Sequence, residues 1–354
     1  MKQIFAVLFF LPGLASAMTC PEAASRVDVI TGATGEAFDL QVEVAGKTWQ
    51  LPATVKTEYE RRRSFRLPLQ VENYRFDFME TLRDPRQVAV SLLDAGIGII
   101  AGSQEILWLA PLASRNVVGP HGSRGVKVDP TSFQTTAFTI ESPSLYTTYP
   151  GNNPTKAIYI VGVQKEHSTY FDTTDFELDK KGIAARLKIW TPHSQAPASG
   201  GPRSVFLKKD LEQNTLFTTR REYQVVLPQE FPVGAEALVL APLLARENAL
   251  PAKPIGAQGT IDNTRFSLDL VVGPKPDQGR KVGFLTIDQF TGTLTGREPI
   301  RALQIETELL PEELPLLRTN GHAFGEFFKR IEEHLQTEKT PTPPKFRQTI
   351  QMSK

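Results

Sequence analysis

Apolar and polar residues alternate along much of this chain, and the alternation predicts strands more often than helices. In residues 169–188 (TYFDTTDFELDKKGIAARLK), a polar turn and a short connection lead into a strand. Arg186 and Lys188 share one face of that strand, while Ala185, Leu187 and Ile189 share the other. An ordinary core strand does not carry two like charges on one face. The arrangement recurs in 206–209, in 218–227 (TTRREYQVVL) and in 302–309 (ALQIETEL). Four such strands suit a barrel whose lumen is ionic instead of oily.

The rest of the chain fills in around them. Phe38, Leu40, Val42 and Val44 alternate with polar neighbours, and Gly46-Lys47 marks a turn before Trp49 and Leu51, which predicts a hairpin. In 56–67 (KTEYERRRSFRL), Glu58, Glu60 and Arg62 share a face. That run reads either as an exposed edge strand protected by charge or as a barrel strand sending two carboxylates and a cation inward. Asp84 and Pro85 open a short helix over 86–94 that Gly96 closes. Residues 97–112 are strongly apolar and predict a buried strand pair, whereas 114–132 are polar with glycine and proline, a loop and a domain boundary. A further strand over 155–164 enters the central stretch. Phe324, Phe327, Phe328, Ile331 and Leu335 recur at helical spacing and predict an amphipathic helix packed on the barrel. The tail 337–354, with its prolines and lysines and few apolar residues, is expected to be extended and flexible.

The predicted fold class is therefore α+β and β-dominated: an antiparallel, closed or nearly closed tunnel barrel with a few flanking helices and a β-rich N-terminal region. Four parts are expected: a signal peptide at 1–17, a β-rich region at 18–130 able to contribute barrel strands, the tunnel barrel at 131–336, and the tail.

Composition narrows the function. With 40% hydrophobic residues in 354, the chain has material for a packed core. Lys plus Arg (40) nearly cancel Asp plus Glu (39), so the formal charge of +1 supplies no global attraction to nucleic acid or an anionic membrane. Anion recognition has to come from local clustering. Lys2, the apolar run 4–11, the Pro12-Gly13 break and Ala15-Ser16-Ala17 have the form of a secretory signal peptide, which predicts an exported protein, periplasmic or secreted. Neither that run nor any later segment reaches the roughly 20 apolar residues that span a bilayer. One cysteine, Cys20, excludes an internal disulfide; a lipid anchor there is the alternative to a free thiol, and Met18-Thr19 is a poor flank for it. The five histidines are scattered, and no phosphate-cradling glycine loop, zinc-type spacing or Gly-x-Ser-x-Gly elbow is present.

The succession Tyr170-Phe171-Asp172-Thr173, Asp175, Leu178, Gly182, Ala184 and Arg186 resembles the CYTH-like triphosphate tunnel metalloenzymes, in which such a segment precedes a strand whose alternate basic residues line a tunnel. Later strands follow in the same order over about residues 155–335. Lys209 or Lys208 matches a tunnel lysine, Arg220 and Glu222 an inward pair, Arg265 a tunnel arginine, and Glu306 and Glu308 the paired glutamates of a late strand. The family's opening strand, Glu-x-Glu-x-Lys, has no counterpart just before residue 155. The comparable triad, Glu58, Glu60 and Arg62, belongs to the fold only if 68–154 form an insertion.

The resemblance implies phosphate binding by Arg186, Lys188, Lys209, Arg220 and Arg265. It also implies Mg²⁺ or Mn²⁺ held by Glu222, Glu306 and Glu308, hard cations that prefer oxygen ligands. The implied activity is metal-assisted hydrolysis of a tri- or polyphosphate or a nucleoside triphosphate, with a small polyanion such as tripolyphosphate as partner. No catalytic base is named. Two other readings stay open: an exported protein that captures a phosphorylated or anionic ligand without cleaving it, and a β-rich envelope interaction protein.

Overall fold

The computed structural model describes residues 36–64, 85–101, 105–110, 117–118, 139–140, 146–150, 158–191, 203–213, 216–274, 279–337 and 341–353. The predicted leader at 1–17, Cys20 and most of the loop at 114–132 lie outside the described residues. In chain order the strands are β1 (Glu36–Val44), β2 (Lys47–Ser64), β3 (Gly98–Ile100), β4 (Ile106–Ala110), β5 (Val117–Val118), β6 (Thr139–Ile140), β7 (Tyr146–Pro150), β8 (Ile158–Asp172), β9 (Ile183–Thr191), β10 (Arg203–Gln213), β11 (Thr218–Leu227), β12 (Gly256–Gly273), β13 (Arg280–Leu294) and β14 (Ile300–Leu309). The helices are α1 (Pro85–Ala95), α2 (Glu177–Lys180), α3 (Glu236–Arg246), α4 (Leu314–Thr319), α5 (Gly321–Leu335) and α6 (Lys345–Met352).

Hydrogen bonding links β12, β13, β14, β2, β11, β10, β9 and β8 in that order, and β8 pairs back onto β12, so the sheet closes into a ring of eight antiparallel strands. β1 extends the first half of β2 as a hairpin, with Gly46 at φ 77° in its turn. β4 and then β3 add to the far end of β12, and β7 adds to β8. β2, from the N-terminal region expected to be able to contribute barrel strands, stands in the ring between β14 and β11. Residues 65–157 therefore interrupt the ring in sequence without interrupting it in space.

Closing the ring gives every strand an inner and an outer face, and side-chain alternation sorts the residues between them. Two sides of the outer face are apolar. On one side Phe266, Leu268, Leu285, Ile287 and Ile305 pack with Leu92 of α1 and with Phe324, Phe327, Phe328 and Ile331 of α5. On the other, Ala185, Leu187, Val205, Leu207, Tyr223 and Val225 pack with Leu51 and with Val239, Leu240, Leu243 and Leu244 of α3. The helix expected from the aromatic spacing is α5, and all five residues that predicted it are buried. The tail departs from expectation. Residues 345–352 form α6, held by burial of Phe346 against Tyr170, Ile261, Phe290 and Leu294. Among the described residues no helix is long and apolar enough to cross a membrane.

The α5 aromatics anchor one side of this shell, Phe328 lying edge-on to Phe217 and against Phe324 and Phe327. Phe328→Ala is expected to cost about 3–5 kcal/mol, the usual penalty for truncating a buried ring. Urea unfolding checks it, and a loss below about 1 kcal/mol would show that α5 is not part of the core.

Candidate functional site

The inner face of the ring is built from charged side chains at alternate positions. β2 sends Lys56, Glu58, Glu60 and Arg62 inward, and they are buried or nearly so. Its neighbours answer in kind. On β11, Arg220 stands opposite Glu58 and Glu222 opposite Lys56; on β14, Glu306 stands opposite Arg62. Such opposed charges stabilise an antiparallel pair, and like charges destabilise it. One opposed pair breaks the rule: Glu308 lies directly across from Glu60.

Three carboxylates surround the Lys56 ammonium, with Glu58, Glu222 and Glu308 at 2.6, 3.3 and 3.6 Å. Lys208 adds contacts to Glu58 at 2.6 Å and Glu222 at 2.8 Å. Arg220 reaches Glu60 at 2.7 Å and Asp210 at 2.6 Å. Across the lumen, Lys188 pairs with Glu166 at 2.6 Å, and Arg265 grips Asp288 through two bonds of 2.8 and 2.9 Å while also reaching Glu306.

Burial disfavours charge on every one of these groups, and the partners decide which groups keep theirs. At Glu58 burial is outweighed by the Lys208 and Lys56 ammoniums, which hold its carboxyl well below the usual carboxylate range. Burial, followed by the adjacent Glu58 carboxylate, pushes Glu308 up to about 8. Glu308 is thus the protonated member of a hydrogen-bonded carboxyl pair. Glu60 and Glu306 form a second one: burial raises Glu60 well above its ordinary value despite Arg62, with Glu306 adding to the rise. Lys345, the hydrogen bond from Glu60, and Arg62 hold Glu306 well below. On the opposite wall burial brings Lys188 down to about 8, against the pull of Glu166. Glu308 is therefore largely neutral near pH 7, and burial pushes Glu60 in the same direction, while the arginines Arg186 and Arg265 stay charged.

Arg186 stands out among these groups. Its guanidinium donates to the Tyr170 hydroxyl at 3.1 Å and lies over the Tyr170 and Phe206 rings, with centroids at 5.9 and 5.4 Å. Among the described residues no carboxylate comes within ion-pair distance of it. It faces a cavity of about 60 Å³ lined also by Arg62, Lys208, Arg220 and Arg265. A guanidinium carries five N–H donors in a fork that matches phosphate oxygens.

Asp172, of the Tyr-Phe-Asp-Thr run, has a structural task. Its carboxylate accepts bonds from the backbone N–H of Thr173, Leu178 and Asp179, and so ties down the turn that carries β8 into β9. Tyr170, two residues earlier on the inner face, meets Arg186 directly across the β8–β9 pair.

Of the residues expected to bind phosphate, Arg186, Lys188, Arg220 and Arg265 come together in the lumen. Lys209 does not. It points to the outer face, where its ammonium meets Glu247 at 2.9 Å, and Lys208 takes the inward place. Glu58, Glu60 and Arg62, left open between an edge strand and a lumen strand, are in the lumen. Glu166, Asp288, Lys56 and Lys345 are lumen residues not singled out beforehand. Lys56 lies two residues from Glu58, so strict alternation could have found it; Asp288 ends the run 282–288 that resembles a family strand closing on an aspartate, and nothing in the predicted positions marked Glu166 or Lys345.

Glu222, Glu306 and Glu308 do not converge as a metal site. Glu222 and Glu308 meet at Lys56, while Glu306 lies with Arg62, Arg265 and Lys345. Among the described residues no group of three His, Cys, Asp or Glu side chains is arranged to hold a metal. The two carboxyl pairs, Glu58 with Glu308 and Glu60 with Glu306, fit a hard divalent cation in their chemistry: anionic oxygen donors, two at a time, sharing a proton that a cation would replace.

The ring has the layout that the resemblance to the triphosphate tunnel superfamily implies. No family model and no curated protein matches the chain. Solved structures similar to it include a candidate adenylate cyclase from Bacillus halodurans, 20% identical, covering 52% of this chain and 82% of that one with a TM-score of 0.34. A candidate adenylyl cyclase from Hippeastrum, described as having a dominant triphosphatase activity, is 13% identical over 53% of this chain and 82% of that one, with a TM-score of 0.35. A protein from Pyrococcus horikoshii OT3 is 12% identical over 60% and 90%, with a TM-score of 0.31. At these values what the lumen does rests on its own geometry.

The Glu308 proton has a consequence for stability. Its folded pKa of about 8 lies above the ordinary 4.5, so its contribution is fully present below about pH 4.5 and is lost as pH rises through about 8. Glu308→Gln, which keeps a hydrogen-bond donor without a titrating proton, is expected to flatten the fall of the thermal midpoint across that window. Each kcal/mol involved moves the midpoint by about 2–4 °C in a domain of this size class. Equal slopes for the two proteins would show that the Glu58–Glu308 pair holds no proton.

Proposed function

We propose that the lumen binds a linear polyanion of the tri- or polyphosphate class and, with Mg²⁺ or Mn²⁺, hydrolyses it. The observation that carries this reading is Arg186: a guanidinium facing a cavity that Lys208, Arg220 and Arg265 share with Asp210, Glu306 and Glu308, with a phenol and two aromatic faces in contact and, among the described residues, no carboxylate within ion-pair distance, Glu166 and Glu222 acting on it only from farther off. Clustered cations repel one another, and a chain of phosphates is the complement that would offset that repulsion. Arg186 and Arg220 would fork phosphate oxygens, and Lys208 would act as a point charge. Aromatic rings beneath Arg186 keep water off one side and hold its plane, which orients the bound phosphate.

The pairs Glu58–Glu308 and Glu60–Glu306 would hold the divalent cation, which when bound would neutralise phosphate charge and lower the pKa of a nearby water. Glu308, protonated near neutral pH, is placed to give up or receive a proton at its carboxyl. Capture without cleavage is the second reading, favoured because the lumen carboxyls stand in pairs while their remaining oxygens are taken up by lysines and arginines. An exported location belongs to the same proposal and rests on the character of residues 1–17.

Calorimetry with tripolyphosphate, followed by phosphate release with Mg²⁺ or Mn²⁺, separates the readings. Binding is expected to weaken about tenfold or more in Arg186→Ala and in Lys208→Ala, the loss of roughly one charge-assisted contact, and to stay unchanged in Lys209→Ala. Phosphate release abolished by Glu306→Ala supports hydrolysis, and tight binding with no release supports capture. Equal affinities for wild type and Arg186→Ala would remove the basis of the proposal.

A further inference from the structure

The chain between Thr342 and the end of α6 lies across one mouth of the ring. Thr342 is tied to β2 at both ends of its residue, its N–H donating to the Arg62 carbonyl at 3.2 Å and its hydroxyl accepting from the Ser64 N–H at 2.6 Å. Further on, Phe346 stacks on Tyr170 with centroids 4.5 Å apart and planes 6° from parallel. Arg347 pairs with Asp179 at 2.9 Å, and Gln348 donates to Gln304 at 2.7 Å. Contacts to β2, β8, β14 and the turn after β8 make this a crossing of the mouth, not a tail resting beside it.

What α6 puts into the tunnel is a cation. The Lys345 ammonium is buried 2.9 Å from Asp288 and 3.3 Å from Glu306. Lys345, Phe346 and Arg347 also wall the same cavity as Arg186, Lys208 and Arg220. With α6 docked, its own side chains take up part of the wall and of the acids that the lumen would otherwise present to a ligand and its counter-cation.

The ring is also shaped for this helix. Gly292, within β13, has no side chain where Thr349 of α6 comes down, and a Cβ at that position would collide with the Thr349 side chain. Glycine inside a strand weakens it and often marks a close approach of another element. Eight residues are too few for a helix to persist on its own in water, so α6 exists by docking and is lost on release.

We infer that α6 is a built-in plug that competes with the polyanion for the tunnel, Lys345 serving as an internal counter-cation that leaves when the ligand enters. This rests on the reading of the lumen as a polyanion site. Gly292→Val tests it in the full chain, since it pushes α6 away without removing a charge; Arg347→Ala unties the same helix from Asp179 as a second, independent route. Tripolyphosphate is expected to bind about tenfold more tightly to both variants. In the wild-type protein, adding it is expected to speed amide exchange over residues 345–352. If wild type binds but neither variant binds more tightly, or if the ligand slows exchange in α6, the plug is overturned and the tunnel reading stands. If neither wild type nor variants bind tripolyphosphate, both fall. Binding by the variants alone would be the strongest support.

Discussion

Everything in this structure depends on neutralising charge inside a closed sheet. Eight strands in a ring enclose a lumen, and helices cover two sides of the outside. A lysine or glutamate sent inward loses its water and has to find a partner on an adjacent strand. The register supplies partners. Arg220 faces Glu58, Glu222 faces Lys56, Arg62 faces Glu306 and Arg265 faces Asp288. A shift of one residue in any of these pairings would bring outward apolar side chains into the lumen and carry the charges into the core. The ionic ladder and the apolar shell therefore specify the same register from opposite sides.

Neutralisation is incomplete in an ordered way. Where two carboxyls are forced together, one keeps its proton, as at Glu308 beside Glu58. Where no carboxylate stands within ion-pair distance, aromatic rings and a phenol fill in, as around Arg186. The C-terminal segment adds Lys345 to Asp288 and Glu306, beside Arg265 and Arg62. A lumen composed this way stores unspent binding capacity for anions, and the same arithmetic explains why an outside ligand and the chain's own tail would contend for it.

Part of this was legible from alternation: the limits of β11 and the five buried residues of α5 follow from period-two and helical spacing, and so does the shared face of Arg186 and Lys188. The resemblance, not the spacing, pointed Arg220, Glu222, Arg265, Glu306 and Glu308 to the inner face, where they lie. Lys209 failed because β10 breaks the simple code. Phe206 is inward among charges, beneath Arg186 and Lys188, while Val205 and Leu207 are outward, so parity could not be set by polarity. β2 was uncertain because its ring partners lie more than a hundred residues away, and no local feature shows that Glu58 and Glu60 will meet cations from β11 and β10. α6 was missed for a related reason. Its helix depends on Tyr170, Gln304 and the bare backbone of Gly292, none of which is near it in sequence.

The most direct test is a structure of the protein crystallised with tripolyphosphate. Phosphoryl oxygens within hydrogen-bond reach of Arg186 and Arg220, inside the ring, are the predicted result. A polyanion seated on the outer surface, with the Arg186 guanidinium still facing only Tyr170 and Phe206, would contradict the account.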